Sequence, residues 1–238
     1  MKDAAICMTA TIKPHTVFVS AVDAQERLSD YKKCIRFYLD QTNLPIYFLE
    51  NSDFDISEDA DFKAFDQTNR FHLLRFPPHP DIGKGKGFQE FYTLDRFVKN
   101  HLSEEVLIKV TGRYIVKNIA DLLLQIQGQL SIDLHQKMKV AITGFFVVDK
   151  AIYLAHFYEK YKLADDTKGK FIEHVLYDEI VGSSLKSVTA LLPQNPEYRG
   201  VSGSYGTSLE RNKYKMLVRS VERKISRGLG IPQFLIEY

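Results

Sequence analysis

The chain has 238 residues, of which 45% are hydrophobic and 12% aromatic. This length and composition suffice for one large α/β domain with a buried core, and they exclude the disordered and fibrous classes. The formal net charge of only +2 gives no support to nucleic-acid binding, which usually requires a strongly basic face.

Strands and helices are predicted to alternate in the first half of the chain. An apolar, β-prone run over residues 4–12 predicts the first strand, and residues 23–40 follow with a helical period and a capping box from Asp23 to Glu26. Further strands are predicted at 44–52, 71–76 and 104–110, and a glycine-rich loop leads into a helix over 83–100. This alternation predicts a single α/β domain with a mostly parallel, Rossmann-like sheet flanked by helices.

The second half of the chain is less regular. Residues 140–148 predict a strand, and residues 151–161 and 170–180 predict two helices. The Gly/Ser-rich segment 198–208 is expected to be either a mobile loop or a passive linker to the last helix. The last predicted helix turns Tyr214, Leu217, Val221 and Ile225 inward. Its other faces carry basic residues, which are Arg211, Lys213, Lys215, Arg219, Arg223, Lys224 and Arg227.

Polar corners follow three of the predicted strands, at residues 8–14, 50–55 and 111–118. Ligands of parallel sheets bind at the carboxyl ends of the strands, so these corners are expected to line one edge. In order and spacing they resemble the nucleotide-sugar half of a GT-A glycosyltransferase, over roughly residues 4–118. The motifs KGKG and IKVTGRY are similar to those of small bacterial transferases that build lipopolysaccharide or capsule sugars.

The resemblance implies how the chain is divided and where a donor would bind. Residues 1–118 would form the nucleotide-sugar-binding half, and residues 119–238 the acceptor-binding and catalytic half of one domain. Glu50, Asn51 and Ser52 would hold the base or ribose, and the loop from Thr9 to Thr11 would lie against the same nucleoside.

The fourth strand departs from the family pattern. Where the family has an Asp-x-Asp pair that binds a divalent cation, this chain has Thr111, Gly112 and Arg113. Because hard cations need oxygen ligands, neither a divalent metal nor another cofactor is expected. Two Asp-x-Asp strings, in 53–55 and 59–61, follow the second strand instead, and we interpret them as solvated turns, with a cation site as the alternative.

Fixed cations would then stabilise the donor diphosphate in place of the metal. Arg113 presents a planar fork of donors to phosphate oxygens, and Gly112 allows the backbone to approach closely. The remaining residues that would bind the nucleotide-sugar donor come from the glycine-rich loop, the fourth strand, the mobile loop and the last helix: Lys84, Lys86, Gly87, Lys109, Thr111, Ser202, Ser204 and Lys213. The open alternative is that Arg113 forms a structural ion pair with Glu104 or Glu105.

An inverting transferase of this family needs a carboxylate that removes a proton from the acceptor hydroxyl. Glu173, at the start of a helix in the second half, is the first candidate, and Asp166 and Asp165 are the reserves. A salt bridge from Glu173 to Lys170 is the alternative to this catalytic role.

The sequence thus predicts transfer of a sugar from a nucleotide-sugar donor to a glycan or lipid-linked acceptor of bacterial surface polysaccharide. Two alternatives stay open, a nucleotidyltransferase and a non-catalytic nucleotide-sugar-binding module. Two isolated cysteines and the lack of a long apolar run favour a cytoplasmic protein. The basic carboxy-terminal helix would either contact the inner face of the membrane or simply be solvated.

Overall fold

The computed structural model describes residues 3–14, 23–126 and 128–200, together with 208, 218, 220–223 and 225. The predicted donor contacts of Ser202, Ser204 and Lys213 lie outside these described residues. The same holds for most of the predicted mobile loop and for the first part of the basic helix.

A seven-stranded, mostly parallel sheet forms the centre of the domain. The strands are β1 (Ala4–Ala10), β2 (Ile46–Glu50), β3 (Phe71–Arg75), β4 (Val106–Thr111), β5 (Ile115–Val116), β6 (Leu130–Ser131), β7 (Leu134–His135), β8 (Val140–Ala141), β9 (Phe145–Asp149), β10 (Thr189–Ala190) and β11 (Tyr198–Arg199). The sheet order is β10-β6-β9-β4-β1-β2-β3, in which β9 runs antiparallel to both of its neighbours. Short pairs β5–β11 and β7–β8 lie outside this sheet.

Helices pack on both faces of the sheet. They are α1 (Ala24–Gln41), α2 (Ala60–Asp66), α3 (Lys86–Asn100), α4 (Ile119–Gln125), α5 (Lys150–Ile152) and α6 (Ile172–Gly182). The predicted cap of α1 is confirmed, because the Asp23 carboxylate accepts a hydrogen bond of 2.7 Å from the Glu26 N–H. None of the helices in the described part of the chain is long and apolar enough to span a membrane.

The central strand β1 is buried over its whole length, which explains its unbroken apolar run. Ala5 and Cys7 join the core that contains α3 and α6, whereas Ile6 and Met8 join the core under α1. The α/β class, the single domain and the parallel sheet predicted from the sequence are therefore confirmed.

Three local predictions in these elements are wrong. The strand predicted at 140–148 is two strands, β8 and β9, because the Ile142 N–H bonds to Asp133 and the chain turns before Gly144. The helix predicted at 151–161 is only the short α5 followed by a π-helical turn, Tyr153–Phe157, and a 3-10 turn, Lys160–Leu163. The Asp59 pattern caps α2 instead of forming a solvated turn, with its carboxylate 3.0 Å from the Asp61 N–H.

The described part of the last helix corrects its predicted inward face. Val221 and Ile225 are exposed, whereas Arg223 is buried. The Arg223 guanidinium donates two hydrogen bonds, of 2.9 and 2.8 Å, to the carboxylate of buried Asp133, and one of 2.7 Å to the Leu192 carbonyl. The buried Asp133 carboxylate needs a cation, and this outweighs the apolar pattern of the helix. Arg223 is therefore not part of a solvated or lipid-facing surface.

Candidate active site

A cleft of about 660 Å³ opens at the carboxyl ends of β1, β2 and β4. It is lined by more than half of the predicted site residues that the structure describes. These are Thr9, Thr11, Asn51, Lys86, Gly87, Thr111, Arg113, Asp166 and Glu173. The prediction that the polar corners meet at one edge of the sheet is therefore confirmed by the geometry.

Of the residues at the end of β2 that are predicted to bind the nucleoside, one lines the cleft and two lie behind it. Glu50 is buried, and its carboxylate accepts hydrogen bonds from the N–H groups of Ile12 (3.1 Å) and Ser52 (2.9 Å). Burial raises the pKa of Glu50, against the opposing effect of these hydrogen bonds. The Ser52 hydroxyl in turn accepts from the Lys13 N–H at 2.9 Å. Glu50 and Ser52 thus hold the loop after β1 in place.

Asn51 is the member of this group that lines the cleft. Its Oδ1 accepts a hydrogen bond of 2.5 Å from the Thr11 hydroxyl, and its Nδ2 donates one of 3.1 Å to Thr93 Oγ1 on α3. The amide is therefore held between the β1 loop and α3, at the position where the sequence predicts the nucleoside.

The corner after β4 requires glycine at position 112. A Cβ there would lie 2.7 Å from the Thr9 carbonyl oxygen and 2.9 Å from Cε1 of Tyr31. The next residue, Arg113, is buried in the bottom of the cleft, with Nη1 3.8 Å from Asp30 Oδ2. The alternative of a structural ion pair with Glu104 or Glu105 is wrong in its partner, because the carboxylate that the described chain places beside Arg113 is that of Asp30 on α1.

Lys109 lies beneath the cleft and does not line it. Its side chain is 0% exposed, and Nζ lies 2.7 Å from Glu90 Oε1, 2.7 Å from the Thr143 carbonyl oxygen and 3.0 Å from Thr111 Oγ1. A contact of Lys109 with donor phosphate stays a prediction, and in this geometry its charge is already balanced by Glu90.

Glu90 is a cleft residue that the sequence interpretation missed. It lies on α3, and Thr9 Oγ1 donates a hydrogen bond of 2.5 Å to the same Oε1 that contacts Lys109. Burial opposes ionisation, but the Lys109 charge and the hydrogen bonds outweigh it and lower the pKa of Glu90. The available sequence signal was a carboxylate one turn into the helix that follows the glycine-rich loop.

The two lysines of the glycine-rich loop have different surroundings. Lys84 Nζ lies 3.5 Å from Asp81 Oδ2 and 4.9 Å above the Phe88 ring, and Lys84 does not line the cleft. Lys86, the first residue of α3, does line it. Of the two predicted phosphate contacts, Lys86 is therefore the one positioned for a ligand in the cleft.

Asp166 contacts the amino terminus of α3, where its Oδ2 accepts a hydrogen bond of 3.1 Å from the Lys86 N–H. Gly85 has φ +109°, and a Cβ there would lie only 2.0 Å from Asp166 Oδ2. The other oxygen, Oδ1, is buried and has no hydrogen-bond partner among the described residues. Burial and then the nearby charge of Glu173 raise the pKa of Asp166 to about 6.

Glu173 lines the same cleft from the first turn of α6. Its Oε1 accepts a hydrogen bond of 3.1 Å from the Thr143 hydroxyl, and no ion pair joins it to Lys170 within the described chain. Asp165 does not line the cleft, because its carboxylate bonds to Thr167 and pairs with Lys168 in an exposed turn. The structure thus brings Glu173 and Asp166 together and leaves Asp165 outside.

The corner after β4 does not fit a divalent cation. Thr111 and Gly112 provide no carboxylate, and Arg113 brings a positive charge to the same position. Across the described ranges, no three His, Cys, Asp or Glu side chains meet in a way that could hold a metal ion.

No family model and no curated protein matches this chain. Solved structures do match it. A complex of the galactosyltransferase LgtC with donor and acceptor sugar analogs has a TM-score of 0.52 at 10% identity, over 79% of this chain and 72% of that one. The glycosyltransferase GlyE of Streptococcus pneumoniae TIGR4 gives 0.50 at 11% identity, over 81% and 45%.

GalNAc-T7 with UDP, GalNAc and Mn²⁺ gives a TM-score of 0.55 at 10% identity, over 93% of this chain and 48% of that one. The chain thus spans less than half the length of GlyE and GalNAc-T7. At such low identity the likeness concerns architecture. The structural neighbours are GT-A-type glycosyltransferases, and this chain has their fold.

Proposed function

We propose that this chain is a glycosyltransferase that moves a sugar from a nucleotide-sugar donor to a glycan or lipid-linked acceptor. One observation carries the proposal: the cleft at the carboxyl ends of the parallel strands holds both cations and carboxylates. Its lining includes the cations Arg113 and Lys86 and the carboxylates Asp166 and Glu173. Group transfer from a diphosphate needs both kinds of side chain.

In the proposed mechanism the donor lies with its nucleoside near Thr11 and Asn51 and its diphosphate toward Arg113. The charge on the diphosphate grows as the bond from phosphate oxygen to the sugar breaks. A guanidinium already fixed in a desolvated position stabilises that charge without reorganisation. Because the corner after β4 offers no carboxylate, we propose that transfer does not depend on a divalent metal.

Glu173 is proposed to take the proton from the acceptor hydroxyl as that oxygen attacks the sugar carbon, which gives inversion. Asp166 is the reserve for this role. Its pKa of about 6 suits a base near neutral pH, but its Oδ2 already accepts a hydrogen bond from the Lys86 N–H and its Oδ1 is buried, which makes it the weaker candidate.

The further scope of the proposal is surface polysaccharide synthesis in the bacterial cytoplasm, on lipopolysaccharide or capsule. It rests on the resemblance of the glycine-rich loop and of the β4 corner to small bacterial transferases. The same proposal includes contact of the basic carboxy-terminal residues with the inner face of the membrane. Arg223 takes no part in that contact.

The test is incubation with UDP-, GDP- and CMP-sugars, with and without EDTA, followed by detection of the released nucleotide. We expect slow donor hydrolysis that survives the chelator. Arg113→Met should reduce its rate by about 100-fold or more, as loss of an anion-stabilising donor does in other enzymes. Arg75→Met is the control, since Arg75 lies outside the cleft and pairs with exposed Asp55.

Strict metal dependence would refute the role of fixed cations, and release of sugar 1-phosphate from a UDP- or GDP-sugar, with transfer of the nucleotide, would favour a nucleotidyltransferase. Binding of a nucleotide sugar without turnover would favour a binding module. In an acceptor assay, Glu173→Gln should abolish transfer while donor binding stays intact. Transfer near the original rate in that variant would contradict the assignment of the base.

A further inference from the structure

One lip of the cleft exposes apolar and aromatic side chains to solvent. Met138 is 62% exposed and Phe171 is 43% exposed, although both line the cleft. The ring of His174, also in the lining, lies 5.6 Å from the Phe171 ring at an interplanar angle of 31°. We call these three residues, Met138, Phe171 and His174, the aromatic lip.

Phe171 occupies a helix position that usually holds a polar residue. Phe171 precedes α6 at its N-cap, a position where Ser, Thr, Asp or Asn would stabilise the helix through a side-chain hydrogen bond. Phenylalanine cannot make that bond. Its own N–H instead lies 3.3 Å from His174 Nδ1. The cap position is therefore occupied by an exposed ring, which has no evident benefit for the stability of the helix.

Hydrogen-bond acceptors lie next to this apolar surface in the same cleft. Glu173 is between the two rings in sequence, and its carboxylate is bound to Thr143. Asp166 Oδ1 is buried without a hydrogen-bond partner in the described chain. Because this oxygen is closed off from the cleft, Glu173 is the acceptor of the two that a ligand hydroxyl can reach.

An apolar platform beside carboxylate acceptors fits the two chemical sides of a pyranose. The C–H groups on one face of the ring pack on an aromatic side chain, and the hydroxyl groups at its edge donate hydrogen bonds to carboxylates. Two neighbouring carboxylates would also repel a sugar that carries its own carboxylate.

We propose that the aromatic lip is the acceptor subsite and that it takes a neutral pyranose, with the sugar face on Phe171 and a hydroxyl that donates a hydrogen bond to Glu173. This inference rests on the proposed function and adds the acceptor class, a neutral hexose residue, to it. Anionic residues such as uronic acids are excluded from this subsite by charge.

The test measures saccharide binding directly and does not require turnover. The probes are methyl β-D-galactopyranoside, methyl β-D-glucopyranoside and methyl β-D-glucuronide, observed by ligand-detected NMR with the unmodified chain and its variants. Loss of one aromatic contact corresponds to about 3- to 10-fold weaker binding. We therefore expect Phe171→Leu to weaken binding of both neutral pyranosides by that factor, and we expect the glucuronide to bind less well than either.

Leu163→Ala is the matched control, because Leu163 is 54% exposed but does not line the cleft. It should leave pyranoside binding unchanged. Since Phe171 is itself exposed, Phe171→Leu should also leave the thermal transition of the protein near its original temperature.

Pyranoside binding unaffected by Phe171→Leu, or binding of the glucuronide as tight as that of the neutral sugars, would overturn the inference. These results are distinguishable from failure of the proposed function. If neutral pyranosides bind at Phe171 but no donor is hydrolysed, the subsite stands and the enzymatic proposal fails. If donor is hydrolysed and Phe171→Leu changes nothing, only the subsite is wrong.

Discussion

The buried pair of Lys109 and Glu90 gives the sharpest test of how the cleft is held together. Lys109→Met keeps the length of the side chain and removes its charge. The Lys109 side chain is 0% exposed and that of Glu90 is 16% exposed, so the substitution leaves a carboxylate in a desolvated position without its cation. Removal of one partner from a buried pair costs about 3–5 kcal/mol.

We expect a loss near the lower end, about 3 kcal/mol, because Glu90 keeps some contact with solvent and its hydrogen bond from Thr9. A typical domain has only about 5–15 kcal/mol of unfolding free energy, so the loss should be obvious in a urea titration. Glu90→Gln should cost less, because Lys109 keeps its contacts with Thr111 and the Thr143 carbonyl. The double variant should lose clearly less than the sum of the two single losses.

The pH dependence provides an independent check of the same reasoning. Without Lys109, burial would raise the pKa of Glu90 above its value in the unfolded chain. A carboxyl with a raised pKa in the folded state stabilises the fold at low pH and loses that effect as the pH rises. The loss of unfolding free energy in Lys109→Met should therefore be smaller at pH 5 than at pH 8.

A change of less than about 1 kcal/mol in Lys109→Met, with additive effects in the double variant, would refute this account of the pair. If that stable variant also bound a nucleotide-sugar donor more weakly, the result would instead support the sequence prediction that Lys109 contacts the diphosphate.

Three further predictions concern stability. Burial raises the pKa of Asp95 to about 7, against opposing hydrogen bonds from Tyr153 and the Glu159 N–H. The unfolding free energy should therefore fall by roughly 1.4 kcal/mol per pH unit as the pH rises from about 4 to 7. Asp95→Asn should remove this slope in urea titrations, and an unchanged slope would contradict it. Gly112→Ala should cost about 1–3 kcal/mol by thermal or urea unfolding because of the contact with Thr9, whereas Gly83→Ala, with no atom within 4 Å of the added Cβ, should be tolerated. Arg223→Met should lower the unfolding free energy by about 3 kcal/mol, because it leaves the buried Asp133 carboxylate without its cation. A loss of no more than about 0.5 kcal/mol, which is typical of a surface substitution, would argue against the burial of this pair.

Local pattern was enough to predict most regular elements of the first half, although it missed α2. The apolar run of β1, the Asp23 cap of α1 and the sequence Gly-Lys-Gly before α3 are all short-range signals, and each lies where the structure has the element. Alternation of such elements predicts a parallel sheet, and that sheet in turn predicts which edge carries the cleft. Arg113 and Asn51 lie at this edge, whereas Glu173 was predicted from the resemblance to the family.

Contacts between distant segments could not be predicted by pattern. Glu90 meets Thr9 across 81 positions, Asp166 meets the Lys86 N–H across 80, and Arg223 meets Asp133 across 90. Sequence periodicity shows which face of an element is apolar. It does not show that a distant charge in the chain will be buried and will need a partner.

The sequence by itself therefore determined the fold class and the edge of the sheet that carries the candidate site. Tertiary structure alone decided which charged groups in that edge balance each other and which face the cleft. The physical reason is that desolvation of a charge depends on everything packed around it. Lys109 and Arg113 look equivalent in the sequence, but Lys109 is held beneath the cleft by Glu90 at 2.7 Å, whereas Arg113 lies 3.8 Å from Asp30 and lines the cleft.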